Sequence, residues 1–214
     1  MASLAQALRE FKQTYEQSAP AEILETLSRN VSLLQQQQLH AKGPQVSEPM
    51  PIGTLFDNKG NAVELHALLQ RPLIITFFRG GWCPYCMLEL QAWEGLINEQ
   101  PLMPNLIAVS GETQSFTEQV QQDNALSFPV LIDPNFSVME QFGLVYEVND
   151  ALKEVLLKWG VDLTERTARK EFALPIPATY IIDSNGIVQY AFIEEDYTSR
   201  AEPSEVMAIY QQLI

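Results

Sequence analysis

A strand–helix–strand segment near the middle of the chain constrains the fold more than any other feature. Its first part, PLIITFF (72–78), is an uncharged run rich in β-branched and aromatic residues, which is typical of a strand buried on both faces. Two glycines follow, and a helix is then predicted from Pro84 to about Gln100. The next apolar run, NLIAVS (105–110), predicts a second strand. This order indicates two parallel strands joined by a right-handed crossover, and therefore an α/β sheet.

The chain has two cysteines, and both lie at the first strand–helix junction, in WCPYC (82–86). Open α/β sheets carry their sites at the carboxyl ends of their strands. Pro84 at the first helical position places Cys83 at the N-cap and Cys86 in the first turn. Free backbone N–H groups and the helix dipole stabilise a thiolate there, so we expect a lowered pKa for Cys83. The spacing also allows the two sulfurs to form a disulfide, as a two-electron dithiol cycle requires.

Two other roles compete with redox chemistry for this cysteine pair. A zinc site needs about four ligands, and only His40 and His66 could complete one. Both histidines are expected to be solvated or packed, so we predict neither a metal nor another cofactor. The second role is a pair of inert buried thiols, because free cysteine packs as a small hydrophobe. A CxxC motif beside a β-α-β unit favours redox chemistry over both.

Charge and hydropathy exclude several classes of function. With 27 acidic and 13 basic residues, the formal charge of −14 repels nucleic-acid phosphates and anionic lipid headgroups, so neither is an expected partner. Charged residues interrupt the N-terminus where a signal peptide needs an apolar stretch, and no uncharged run is long enough to span a membrane. We therefore expect a cytoplasmic protein, and in that reducing compartment a structural disulfide is disfavoured.

The chain divides into two predicted units, an N-terminal helical extension over 1–43 and one α/β domain over 44–214. Each of the two helices predicted in the extension has one apolar stripe. That stripe must be covered by the main domain or by a second subunit, so a homodimer is one of two arrangements that the sequence allows. The other predicted elements are two short strands around a turn at 57–60, a helix at 113–123, a strand at 128–133, a helical stretch at 136–159, extra helix within 144–175, two strands within 177–193 and a helix at 203–213.

The cysteine motif resembles two templates, of which the first is thioredoxin. Here WCPYC (82–86) matches the W-C-x-x-C active site, and IPAT (176–179) is similar to the loop that faces it and carries a cis-proline. On this template Cys83 is the attacking thiolate and Cys86 resolves the mixed disulfide. We then expect a cis bond before Pro177, which would shape a backbone edge for the substrate; the alternative is an ordinary proline at the start of a strand. The buried carboxylate that thioredoxins place before their cysteines is missing.

The second template is the peroxiredoxin signature P-x-x-x-T-x-x-C, which is often followed by Glu. In that alignment Arg79 replaces the proline, Cys83 replaces the threonine, and Cys86 falls on the peroxidatic cysteine. Glu89 matches the following Glu. Arg200, ahead of the predicted closing helix, is its candidate partner, or else a surface charge that flanks the helix. The hydroxyl beside the peroxidatic sulfur and the family's other active-site arginine have no counterpart.

From about residue 45 to 214 the chain thus resembles the peroxiredoxin-like (alkyl hydroperoxide reductase/thiol-specific antioxidant) branch of the thioredoxin superfamily. The resemblance implies a thioredoxin-like three-layer fold with a central mixed β-sheet. It favours a thiol peroxidase that reduces hydroperoxides through a dithiol–disulfide cycle and is recharged by thioredoxin, glutaredoxin or glutathione. The alternatives are a thiol–disulfide oxidoreductase and a non-enzymatic redox sensor. The predicted catalytic residues are Cys83 and Cys86, and the binding or supporting residues are Pro177, Arg79, Arg200, Glu89, Trp82 and Tyr85. The two aromatic residues either shape access to the site or pack at the strand–helix junction.

Overall fold

The computed structural model of the chain describes residues 3–214, which form both helices and strands. The strands are β1 (Thr54–Phe56), β2 (Ala62–Glu64), β3 (Leu73–Phe77), β4 (Leu106–Ser110), β5 (Val130–Ile132), β6 (Val145–Glu147), β7 (Ala173–Pro175), β8 (Ala178–Ile182) and β9 (Val188–Ile193). The helices are α1 (Leu4–Ser18), α2 (Ala21–Gln37), α3 (Pro84–Ile97), α4 (Gln114–Asp123), α5 (Ser137–Gln141), α6 (Asp150–Lys158), α7 (Leu163–Arg166) and α8 (Pro203–Tyr210). No helix in this part of the chain is long and apolar enough to cross a bilayer.

The central sheet is mixed and has the strand order β2-β1-β5-β4-β3-β8-β9. Strand β3 pairs in parallel with β4, to which α3 connects it, and antiparallel with β8. Every residue of β3 and of β4 is buried, as expected for uncharged runs in the middle of a covered sheet. The predicted β-α-β unit and the mixed sheet are therefore confirmed.

Helices cover both faces of this sheet. Successive residues of a strand point to opposite faces, so the neighbours Phe77 and Phe78 belong to two different apolar clusters. The first cluster also contains Phe142 and Tyr180, and the second contains Trp93 of α3. Two apolar layers separated by one sheet produce the three-layer architecture that the resemblance implied.

The two N-terminal helices pack on the rest of the chain. On α1, Leu4 and Leu8 are buried in the cluster that contains α3, and on α2, Leu27 and Leu34 are buried in the cluster on the other face. Contacts join α1 to α3 and α2 to α6. The apolar stripes that the sequence predicts are thus covered within one chain.

Two predictions of local structure are wrong. The helical stretch predicted at 136–159 is interrupted by β6, which pairs antiparallel with β7 in a separate two-stranded sheet. These strands have three residues each, too few for an alternating pattern to stand out. Every peptide bond in residues 3–214 is trans, including the bond before Pro177. The chain runs on from β7 into β8 at this point without a turn, so the more stable trans form is sufficient.

Candidate active site

The two cysteines lie at the junction of β3 and α3, where the sequence predicts them. Cys83 is the N-cap residue of α3, Pro84 begins the helix, and Cys86 lies in its first turn. Both thiols are free, and the two residues are 1% and 0% exposed. Each sulfur shifts the pKa of the other, so the two interact across the first turn of α3. The spacing of the two cysteines at the start of one helix allows a disulfide to form with little movement of the chain.

The electrostatic surroundings distinguish the two sulfurs. Burial raises the pKa of Cys83, but the Cys86 thiol and the cations Arg79 and Arg200 outweigh burial and lower the pKa to about 6. Burial, together with the neighbouring Cys83 sulfur, raises the pKa of Cys86 well above its ordinary value. At neutral pH the pair therefore carries one negative charge, on Cys83, and keeps one proton, on Cys86.

The lowered pKa of Cys83 agrees with the prediction from the sequence, but the expected cause makes only a small contribution. We expected backbone N–H groups of the first turn to stabilise the Cys83 thiolate. The backbone N–H of Cys86 does lower the pKa of Cys83, but less than the Cys86 thiol, Arg79 and Arg200 do. That N–H also donates to the carbonyl oxygen of Cys83 at 3.1 Å, and the Cys83 side chain makes no capping hydrogen bond.

Arg200 joins Cys86 to a buried carboxylate. Its Nε donates to Oε2 of Glu89 at 2.7 Å, and its Nη2 lies 3.3 Å from the Cys86 sulfur. Its Nη1 donates to the carbonyl oxygens of Tyr197 and Ser199. The side chains of Arg200 and Glu89 are 2% and 1% exposed. The structure therefore brings together the pair that the peroxiredoxin alignment predicts, and the alternative of a surface charge is wrong.

Glu89 accepts hydrogen bonds from two further donors, and its pKa is raised. The hydroxyls of Thr76 and Thr179 donate to its Oε1 at 2.9 and 3.3 Å. Burial raises the pKa of Glu89 to about 7, although Arg200 acts in the opposite direction. Burial lowers the pKa of Arg200, but Cys86 and Glu89 outweigh it and raise that pKa above its ordinary value. Arg200 therefore remains a permanent cation in the interior of the protein.

Arg79 is the second cation of the site, and its surroundings are different. It is 6% exposed, and its guanidinium carbon lies 4.8 Å from the ring centre of Trp82 and 4.4 Å from that of Tyr197. Its Nε has no hydrogen-bond partner among residues 3–214. Burial lowers the pKa of Arg79, but Tyr146 and Cys83 outweigh it and raise that pKa. The guanidinium is therefore charged, buried and incompletely hydrogen-bonded.

A cavity of about 360 Å³ borders this arginine and Cys83. Its wall is mostly aromatic and aliphatic, and it is lined by Phe11, Tyr15, Leu27, Arg79, Trp82, Cys83, Pro84, Tyr85, Trp159, Val161 and Tyr197. Phe11 of α1 packs edge-on against Tyr85, with 5.1 Å between the ring centres. Trp82 and Tyr85, the aromatic residues of the cysteine motif, thus line the cavity. Residues of the two N-terminal helices line it too, and that contribution was not predicted from the sequence. Among the described lining residues, Cys83 is present and Cys86 is not.

Glu112 holds the loop that precedes Cys83, and sequence reasoning missed it. This buried carboxylate follows β4 and accepts hydrogen bonds from the N–H of Gly81 at 2.7 Å and from Nε of Arg166 at 2.5 Å. Burial raises the pKa of Glu112 above its ordinary value, although Arg166 and the Gly81 N–H act in the opposite direction. Its position directly after a buried parallel strand, at the sheet edge where the cysteines lie, is the signal that could have found it.

Two residues considered from the sequence do not line this cavity. Pro177 is buried beside Ala178, which pairs with Phe77 at the end of β3, but it does not line the cavity. His40, considered as a zinc ligand, lies with its Nδ1 2.8 Å from Oε1 of Glu195. Within residues 3–214, no three His, Cys, Asp or Glu side chains converge as metal ligands.

Comparisons with known proteins identify the family and the fold of this chain. The AhpC/TSA family profile matches residues 46–191, which is more than half of the chain. The chain belongs to the AhpC/TSA family. The chloroplastic peroxiredoxin Q of Oryza sativa subsp. japonica is 26% identical to this AhpC/TSA protein over 164 residues, which is 76% of this chain and 65% of that protein. The match thus spans slightly less than two thirds of that relative.

A shorter match relates the AhpC/TSA protein to the thiol-disulfide oxidoreductase ResA of Halalkalibacterium halodurans. The two are 32% identical over 92 residues, 42% of this chain and 52% of that protein. Solved structures share the fold. Peroxidoxin BcpB from Mycobacterium tuberculosis has a TM-score of 0.61 at 16% identity and covers 80% of this chain and 99% of its own. A peroxiredoxin-like protein from Aquifex aeolicus has a TM-score of 0.63 at 14% identity, with 80% and 89% covered. The predicted thioredoxin-like fold is confirmed.

Proposed function

We propose that this AhpC/TSA protein is a thiol peroxidase that reduces hydroperoxides through a Cys83–Cys86 dithiol–disulfide cycle. One observation carries the proposal. Cys83, whose pKa is lowered to about 6, lines a cavity, and Cys86 lies three residues on in the first turn of the same helix. A thiolate that a small molecule can approach, with a resolving thiol on the same helical turn, supplies both chemical steps of the cycle.

In the first step the Cys83 thiolate attacks the terminal oxygen of the hydroperoxide. The O–O bond breaks, Cys83 becomes a sulfenic acid, and the leaving alkoxide or hydroxide takes the proton of the Cys86 thiol. Negative charge that develops on the leaving oxygen lies near the guanidinium of Arg79, which borders the same cavity. This geometry supports Arg79 as the group that stabilises the transition state.

In the second step the Cys86 thiolate attacks the Cys83 sulfur. The S–O bond of the sulfenic acid breaks, hydroxide leaves, and the disulfide forms. Arg200, with Nη2 at 3.3 Å, is placed to stabilise the Cys86 thiolate before it attacks. Glu89 holds this arginine in position, so we propose that Glu89 is a positioning residue rather than a catalytic one.

The peroxiredoxin alignment assigns the first attack to Cys86 instead, and two observations favour Cys83. Cys86 does not line the cavity, and burial raises its pKa, whereas the pKa of Cys83 is lowered. The contact between Arg200 and Cys86 suits a sulfur that must ionise only transiently. We therefore assign the attack to Cys83 and resolution to Cys86.

Single Cys→Ser variants test the function and the order of the two steps. With dithiothreitol as reductant, we expect wild-type protein to consume peroxide continuously. The Cys86→Ser variant should react once and leave a sulfenic acid on Cys83 that dimedone labels, and Cys83→Ser should react slowly or not at all. A fast dimedone adduct on Cys86 in Cys83→Ser would reverse the assignment. Peroxide left untouched by wild-type protein would refute the proposed function.

A thiol–disulfide oxidoreductase is the second candidate, because of the CxxC motif and the similarity to a protein named for that activity. The cis-proline expected on the thioredoxin template is absent from residues 3–214, which removes one of its two supports. Reduction of insulin disulfides without peroxide consumption would favour this candidate over the peroxidase.

The remaining assignments are part of the same proposal. We assign residues 1–43 to an extension that completes the cavity of a catalytic unit over 44–214, because Phe11, Tyr15 and Leu27 lie in the cavity wall. A hydroperoxide as substrate and a thiol reductant of the thioredoxin, glutaredoxin or glutathione type as partner follow from the proposed cycle. A cytoplasmic location suits a cycle that needs reducing equivalents.

A further inference from the structure

The two buried arginines of the site differ in what balances their charge. Arg200 is paired with Glu89, to whose carboxylate its Nε donates at 2.7 Å, and this partner is not consumed in the dithiol–disulfide cycle. Arg79 has no carboxylate partner among residues 3–214 and lies between two aromatic rings, with an Nε that makes no hydrogen bond. Arg79 and Cys83 line the same cavity, and the charge of the Cys83 thiolate interacts with that guanidinium.

Formation of the disulfide removes this anion. The thiolate and the thiol become two neutral sulfurs, while the guanidinium of Arg79 keeps its charge at 6% exposure. A buried charge without a counter-ion is unfavourable, and it attracts an anion into the cavity that it borders. The oxidised protein therefore presents a positive site directly beside the bond that must be reduced.

The cavity limits which reductant can reach this bond. Cys83 is 1% exposed, and Phe11, Tyr15 and Leu27 of the N-terminal helices line the same cavity. A volume of about 360 Å³ admits a small molecule. A cysteine on the surface of a folded protein cannot enter it unless those helices move. The geometry thus favours a reductant of low molecular weight.

We propose that the reductant is a low-molecular-weight thiol that carries a carboxylate, and that Arg79 is its recognition residue. This inference rests on the dithiol–disulfide cycle of the proposed function. The carboxylate occupies the position beside Arg79 that the thiolate leaves on oxidation, the thiol faces Cys83, and the aliphatic part lies against the apolar wall. Affinity for the reductant is then coupled to the redox state of the protein.

The exchange balances in two steps. The thiolate of a first molecule attacks the Cys83 sulfur, the Cys83–Cys86 bond breaks, and its electron pair stays on Cys86, 3.3 Å from Nη2 of Arg200. A second thiolate attacks the outer sulfur of the mixed disulfide and releases the Cys83 thiolate beside Arg79. Two thiols are oxidised to one disulfide; of their two protons, Cys86 takes one and solvent takes the other.

The test uses the full chain and no peroxide. The protein is oxidised with diamide, freed of it, and mixed with 3-mercaptopropionate, 2-mercaptoethanol or cysteamine, which are similar in size and differ in charge. The rate of disulfide reduction is measured from the change in tryptophan fluorescence and divided by the concentration of the thiolate form of each reductant. Mass spectrometry confirms that the disulfide has been reduced. We expect the negatively charged thiol to react at least about tenfold faster than the neutral one, and the positively charged thiol to be slowest.

Three variants connect this preference to one side chain. In Arg79→Gln the three rates should agree within about twofold, and Arg79→Lys should restore the preference. Arg71→Gln changes an exposed arginine outside the cavity and should behave as the wild type. If Arg79→Gln does not fold, propionate provides the test on wild-type protein, because it should slow reduction by the negatively charged thiol and not by cysteamine.

Several outcomes would overturn the inference. Equal rates per thiolate in the wild type, or a full preference in folded Arg79→Gln, would exclude recognition by Arg79. Fast reduction by thioredoxin while millimolar small thiols leave the disulfide intact would exclude a small reductant. Since no peroxide is present, failure of the peroxidase assay together with a normal charge preference would remove the peroxidase function alone.

Discussion

An Arg200→Met variant removes the charge between Glu89 and Cys86 while it keeps most of the aliphatic length of the side chain. The lost contacts are the hydrogen bond to Glu89 at 2.7 Å, the contact to the Cys86 sulfur at 3.3 Å, and the hydrogen bonds to the carbonyl oxygens of Tyr197 and Ser199. Glu89 then keeps two hydroxyl donors and no cation. The variant thus isolates one question, which is how an uncompensated carboxylate is tolerated in this core.

The expected cost depends on pH. Removal of one partner of a buried ion pair typically lowers the free energy of unfolding by about 3–5 kcal/mol, and the two hydroxyl donors place the expected loss near about 3 kcal/mol at about pH 8. Since Arg200 lowers the pKa of Glu89, its removal raises that pKa further above about 7. A carboxyl whose pKa is higher in the folded state destabilises the protein as pH rises through that pKa. At about pH 5.5 Glu89 is protonated with or without Arg200, so the loss should fall to roughly 1 kcal/mol.

Urea denaturation of the reduced protein, followed by circular dichroism at both pH values, measures this difference. With an m value of about 2–3 kcal/mol/M, a loss of about 3 kcal/mol lowers the midpoint by roughly 1–1.5 M. The double variant Arg200→Met with Glu89→Gln buries no charge, and it should recover about half or more of the loss at about pH 8. An equal loss at both pH values, or no recovery in the double variant, would refute the electrostatic reasoning.

Three further predictions concern the thiolate and the loop that carries it. In the wild type, the rate at which Cys83 is alkylated, followed by peptide mass mapping, should rise with pH around a midpoint near the pKa of about 6, and a midpoint at about 8.5, as in a free thiol, would contradict this. Gly80→Ala should lower the melting temperature more than Gly160→Ala. Both glycines have positive φ, 147° at Gly80 and 74° at Gly160, so the backbone strain of alanine is shared. An added Cβ at Gly80 would lie 2.6 Å from the indole nitrogen of Trp82 and 2.7 Å from Cδ of Glu112, whereas one at Gly160 would meet no atom within 4 Å. Equal shifts in melting temperature would show that the close contacts are unimportant. Glu112→Gln should lower the free energy of unfolding by about 1–3 kcal/mol, because it leaves a buried arginine contact without its counter-charge, and an unchanged urea midpoint would exclude that role.

Local rules were sufficient to predict the loop that carries the cysteines. Pro84 sets the first turn of α3, which makes Cys83 its N-cap residue. The pairing of Glu89 with Arg200 is different, because 111 positions separate the two residues and no local rule connects them. Only the resemblance to the peroxiredoxin signature suggested that contact, and the structure contains it.

The parts that the sequence did not reveal depend on tertiary packing. The cavity beside Cys83 combines Phe11 from the first helix with Trp159 and Tyr197 from far along the chain, and no periodicity brings such segments together. The stacking of Arg79 on two aromatic rings was likewise missed, because no local rule places this residue, which follows a buried strand, against Trp82 and Tyr197. The expected cis bond before Pro177 followed from a template whose loop this chain does not share.

The placement of both cysteines at the start of α3 has a consequence for damage by excess oxidant. Conversion of a sulfenic acid to an irreversible sulfinic acid requires a second peroxide molecule to arrive before the partner thiol condenses. Here that partner lies in the same helical turn and no helix has to unwind, so condensation should be faster than the arrival of a second peroxide. We therefore expect this protein to withstand bursts of peroxide that inactivate enzymes whose two cysteines must first travel toward each other.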